Sequence, residues 1–149
     1  MLKKLKSFPK RNRRIQSDLV RVISAERKLS RSHRRFAANN YLREVLRIYR
    51  KWERRGVEKQ YGRELARTVK LTSRSNAHPI KTIIDATSRD PDSKKKSRWG
   101  RALQFIALRK IPSKGLDDAF RKNGGIAGCA RQSAITHPKR RRSHRYGWE

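Results

Sequence analysis

The sequence predicts a mainly α-helical single domain with basic, flexible arms at both ends. Apolar residues recur at helical spacing, most clearly Tyr41, Leu42, Val45, Ile48, Tyr49 and Trp52. There is no alternating Val/Ile/Thr run and no Asn-Gly or Asp-Gly turn set between two such runs, so strand signals are nearly absent. The chain has 149 residues, of which 34% are apolar and 36% charged, enough for one modest core. The ends combine high charge with few apolar residues. The expected organisation is a basic arm over residues 1–16, a helical domain over 17–136 and a basic tail over 137–149.

Ser17 is placed to cap a first helix carrying Leu19, Val20, Ile23 and Leu29. A second runs from Phe36 to Arg55 and ends at Gly56. Its apolar stripe faces one way, while Arg43, Arg47, Arg50 and Arg54 fall in a narrow arc roughly 180° from Trp52. A third helix spans Glu58 to Leu71, weakened by Gly62. Pro79 suits the first turn of a short fourth helix through Ala86. Asp90-Pro91-Asp92 reads as a turn and the start of a fifth helix, from Lys94 to Ile111, stopped by Pro112. Trp99, Ala102, Leu103, Phe105, Ile106, Ala107 and Leu108 cover most of its circumference and mark it as central. A short helix from Leu116 to Lys122, a turn at Asn123-Gly124-Gly125 and a small-residue helix from Ile126 to Ala134 complete the domain.

Charge bounds the function. Lys and Arg number 42 against 12 Asp and Glu, a net charge of +30. The two ends carry +7 and +4 of this, so residues 17–138 are themselves basic. Such a chain repels itself unless a polyanion neutralises it, and nucleic-acid phosphates are the usual partner. Arginine's planar fork suits bidentate phosphate contact and stacking on bases. The expectation is a non-enzymatic nucleic-acid-binding protein that contacts the backbone through Arg/Lys-rich helices, with DNA slightly preferred to RNA. The alternatives are a structural RNA-binding protein of the ribosomal type, a metal-dependent nuclease, and a docking protein for acidic partners or anionic membrane surfaces. In composition alone the chain is similar to small DNA-binding proteins and to basic ribosomal proteins. Homodimerisation or another assembly partner stays open.

Candidate contacts are the row Arg43, Arg47, Arg50 and Arg54; the basic entrance Lys94, Lys95, Lys96, Arg98 and Arg101; Arg131; and the tail residues Arg140, Arg141 and Arg142. Glu44 and Glu53 lie off the arginine row, which favours phosphate contact over a self-neutralised face. Residues 113–134 outline a helix-turn-helix in which Arg131, Gln132 and Ser133 face the nucleic acid; packing through Ala127, Gly128 and Ala130 is the simpler reading. Trp99 fits a core position, whereas Tyr146 and Trp148 in the tail are candidates for stacking on bases.

Catalytic patterns are weak. His33, His78, His137, His144 and Cys129 match no zinc spacing, and no phosphate-cradling glycine loop with lysine occurs. Asp90 with Asp92, or Asp117 with Asp118, are a possible magnesium pair, but acids are also expected at helix starts. No cofactor or metal is expected. The single cysteine excludes an intrachain disulfide. No apolar run approaches a membrane span, and the N-terminus lacks the apolar stretch of a secretory signal. The expected location is intracellular, cytoplasmic or nucleoid-associated, with organelle import open because the N-terminus is basic and acid-poor.

Overall fold

The computed structural model describes residues 12–34, 36–71 and 77–136. They form seven α-helices and one 3₁₀ turn, with no strand among the described residues. The helices are α1 (Arg13–Ser30), α2 (Ala37–Arg54), α3 (Glu58–Thr68), α4 (Pro79–Thr87), α5 (Ser93–Leu108), α6 (Leu116–Lys122) and α7 (Gly125–Thr136), with the 3₁₀ turn Ser113–Gly115 between α5 and α6. None is long and apolar enough to cross a membrane.

α1 begins earlier than the sequence suggests. Asn12 stands at its N-cap without a side-chain bond, and Ser17 lies inside the helix. The buried side is Ile15, Asp18, Leu19, Val22 and Glu26, and Val20 points to solvent. Two acids inside a core are tolerated because each is paired and hydrogen-bonded. Asp18 accepts from Lys51 Nζ at 2.6 Å and from Trp52 Nε1 at 2.9 Å. Glu26 accepts from Ser30 Oγ and the Arg89 backbone N–H, both at 3.0 Å.

α2 crosses the domain. Its apolar stripe is buried as expected, Tyr41 through Trp52, and meets α1, α4 and α5. Gly56 ends it at φ +68°, with the Val57 N–H reaching the Trp52 carbonyl at 3.0 Å. That 6→1 bond needs a left-handed residue, which glycine adopts without side-chain clash. α3 and α5 end with the same hydrogen-bond pattern, but with lysines in the left-handed position: Lys70 at φ 53° and Lys110 at φ 54°. Hence α5 stops at Leu108 and not beside Pro112, and Leu108 is exposed.

α5 is central, as its composition implies. It packs most extensively on α7 and also meets α4 and α2. Its N-cap is Asp92, which accepts from the Lys94 and Lys95 N–H groups. Trp99 is buried, its ring 5.8 Å from that of Tyr41. The Tyr41 hydroxyl donates to Thr87 Oγ1 at 2.7 Å, and Thr87 in turn donates to the Ile83 carbonyl. Burial pushes the Tyr41 hydroxyl's pKa up. α7 approaches α5 through Gly128, Cys129, Ala130 and Ser133. A Cβ on Gly128 would lie 1.7 Å from the Asn123 carbonyl oxygen, so only glycine fits there.

Candidate nucleic-acid interface

The arginine row divides into two sites. Arg43 turns toward α6, where its guanidinium pairs with Asp117, and it also donates to Asn40 Oδ1 at 3.0 Å. Arg47 donates through Nε to Glu44 Oε2 at 2.8 Å. Glu44 also pairs with Arg21 at 3.4 Å. Arg50 donates to the Ile111 carbonyl at 3.0 Å and lies 3.8 Å from Glu53. Arg54 is exposed, with no carboxylate in ion-pairing range among the described residues. The expectation that Glu44 and Glu53 sit clear of the row is therefore corrected. Both reach it from i,i+3 spacing, because long side chains span the arc between neighbouring helical positions.

Arg47, Arg50 and Arg54 line one side of a cleft of about 470 Å³ between α2 and the segment that joins α5 to α6. Lys110, Pro112 and Ser113 line the other side. Four cations face this space and one carboxylate, Glu53, accompanies them. The construction is local and physical. The stripe ending in Trp52 fixes the rotation of α2, and the Arg50 bond to Ile111 holds the linker against it. Lys110 reaches the cleft from a left-handed backbone, a conformation that costs a non-glycine residue about 1–2 kcal/mol. Strain of that kind often sits at functional positions. A guanidinium already bonded on one edge keeps its remaining N–H groups for an anion, and its position is preset.

The basic entrance of α5 is arranged differently. Lys95 is tied to Asp90 at 2.9 Å and lies 5.2 Å from the centre of the Trp99 ring. That lysine holds the Asp90 carboxyl below its usual range, assisted by the Asp92 N–H. Lys94, Arg98 and Arg101 are exposed, and Lys96 is half-buried. None of the four has a carboxylate in ion-pairing range among the described residues. Arg131 is exposed on α7, with its guanidinium beside Gly124 of the turn and Gly128 of the helix. Gln132 is exposed but Ser133 is buried, so Ser133 is not on a reading face. Gly128 and Ala130 pack inward, while Ala127 is exposed.

The candidate magnesium pairs are occupied by structural contacts. Asp90 and Asp92 shape the turn and cap α5; Asp117 pairs with Arg43 and Asp118 with Arg121. No group of three or more metal-ligating side chains occurs among the described residues. Cys129 is buried, which raises its thiol pKa to about 11. No family model, curated protein or solved structure matches this chain. The tail candidates Arg140, Arg141 and Arg142, with Tyr146 and Trp148, lie outside the described residues, as does most of the N-terminal arm. Sequence reasoning missed Lys110, for which no signal existed.

Proposed function

We propose that this protein binds nucleic acid without acting on it, by gripping the phosphate backbone. The carrying observation is the cleft in which Arg47, Arg50, Arg54 and Lys110 face one another across the gap between α2 and the α5–α6 linker. Phosphate oxygens accept readily from guanidinium forks, and Ser113 adds a hydroxyl. The exposed cations of α5 and the +30 net charge extend the attraction beyond the cleft and favour fast, salt-sensitive association. Contacts of this kind position a protein on a strand without reading its sequence.

Anisotropy titrations of labelled duplex and single-stranded oligonucleotides across a salt series test the reading. Affinity is expected to fall steeply with salt, with a log–log slope corresponding to roughly 6–10 phosphate contacts. A flat response overturns it. Plasmid incubated with the protein and Mg²⁺ is expected to stay intact. Cleavage abolished by Asp90→Asn with Asp92→Asn would establish the nuclease reading instead.

A further inference from the structure

α3 carries a row of cations that the cleft beside α2 does not use. Lys59, Arg63 and Arg67 recur at i, i+4 and i+8, and all three are exposed. Lys70, exposed just past the helix end, extends the row to a span of about 16 Å. Among the described residues no carboxylate lies within ion-pairing range of any of the four. The two acids of α3 stand apart from the row. Glu58 lies on the buried side, with one carboxylate oxygen shut away from solvent. Glu64 forms no ion pair with Arg67 despite its i,i+3 spacing. Like charges at i,i+4 destabilise a helix. The row therefore works against its own helix until an anion neutralises it.

The direction of the row follows from the packed side of α3. Leu65 and Val69 are buried, Gly62 lies against Pro79 at the start of α4, and the Tyr61 ring meets Trp52 edge-on at 5.4 Å. At about 100° per residue, the centre of the row lies roughly 160° around α3 from Tyr61. On α2 the arginines lie roughly 180° from Trp52. Trp52 and Tyr61 are where the two helices touch, so the two rows leave the domain on different sides. We propose that Lys59, Arg63, Arg67 and Lys70 form a second phosphate-binding face, and that one chain bridges two segments of nucleic-acid duplex, one at the α2 cleft and one along α3. This rests on the phosphate-binding reading above and adds to it the joining of two segments. The row covers about half a turn of duplex. A lipid surface fits it less well, because the apolar side of α3 is taken up by α2 and α4 and leaves nothing to insert.

The test uses the full chain and DNA duplexes of about one helical turn, half carrying a donor dye and half an acceptor. With duplex in excess, the wild type is expected to bring donor and acceptor duplexes together and to saturate at two duplexes per chain. Lys59→Gln with Arg63→Gln and Arg67→Gln should abolish the energy transfer and saturate at one. The salt slope for the second duplex should fall by about three. The same variant should melt no lower than the parent, because it removes like-charge pairs and keeps the buried side. An equal charge loss elsewhere, Arg13→Gln with Arg27→Gln and Lys122→Gln, should leave the transfer in place. Equal losses in the two triple variants overturn the proposal and trace the effect to net charge alone. Transfer that persists in the α3 variant also overturns it, and gives the second contact to self-association or to the arms. Vesicles containing phosphatidylserine separate the lipid source: vesicle binding lost in the α3 variant while transfer persists assigns the row to a membrane surface instead. A wild type that binds one duplex without transfer overturns the bridging and leaves the phosphate reading standing. A wild type that binds no duplex removes both.

Discussion

Arg43, Arg47 and Arg50 on α2 each donate to an oxygen of the protein itself, whereas Lys94, Arg98 and Arg101 on α5 have no carboxylate within ion-pairing range among the described residues. Both helices carry a dense run of positive charge. On α2 most of the charge is held by protein oxygens; on α5 Lys94, Arg98 and Arg101 stand exposed on long stems. Ordering such stems on a ligand costs about 0.5–1.5 kcal/mol each. If the proposed phosphate reading holds, partly neutralised arginines are the better preset for a phosphate, and the unpaired cations act mainly at longer range. Density of charge along a sequence does not distinguish the two roles; the location of the acids does.

The largest expected effect comes from removing what orients α2. Trp52 is fully buried and its N–H holds Asp18, so Trp52→Ala leaves a cavity and strips a buried carboxylate of one donor. Thermal melts should show a loss of about 3–5 kcal/mol, with the phosphate cleft failing in parallel. Unchanged stability would mean that α2 is not the rigid member of the pair.

Replacing single cations sharpens the contrast. Arg50→Gln removes the bond to the Ile111 carbonyl and should lower both stability and affinity, by about 1–3 kcal/mol in stability if that carbonyl goes unsatisfied. Arg54→Gln touches no partner in the fold. It should leave the melt alone and reduce the duplex salt slope by about one. Arg98→Gln with Arg101→Gln should lower the slope by less than the Arg50→Gln and Arg54→Gln pair does. A larger loss from the α5 pair would reverse the assignment of the principal site.

α7 contributes a pH dependence through Cys129, and α2 through Tyr41 and Tyr49, whose hydroxyls burial also raises. Cys129 releases its proton near pH 11 in the folded chain against an ordinary value of 9.0, and burial also raises the Tyr41 hydroxyl. The unfolded state binds fewer protons above pH 9, so stability should be undiminished below that point and fall as pH rises toward 11. Cys129→Ser should remove part of the alkaline loss in denaturant titrations. The same curve in both proteins would show that the thiol does not contribute.

The smallest effect concerns Lys110. Lys110→Gly relieves a left-handed lysine and should raise stability by at most about 1 kcal/mol. It should also weaken binding and cut the salt slope by about one. A variant that is more stable and binds as well as the parent would exclude Lys110 from the cleft's function.

Much of the fold is legible in the sequence. The extent of α2 follows from its stripe and from Gly56, and α6 from the glycine turn after it. The start of α1 is not, because Asn12 supplies no capping bond and Ser17 looks like the better cap. The end of α5 is hidden because a lysine occupies the position where glycine would announce it. The site is less legible than the fold. Arg43 meets Asp117 across 74 residues, a pairing that helical spacing cannot anticipate. Lys110 joins the arginines only through the bend after α5. The face of α2 that carries the arginines is readable from periodicity; which neighbours claim them depends on tertiary packing.

Cys129 has a practical side. It is the chain's single cysteine, and it is buried with its thiol held protonated at neutral pH. A thiol reagent should modify it only when α7 lifts from α5. Its labelling rate is then a built-in clock for that opening, read by mass without a probe engineered into the chain. The same shielding means that air oxidation cannot join two folded copies, so any dimer seen without reductant has either formed by non-covalent contact or passed through an opened state.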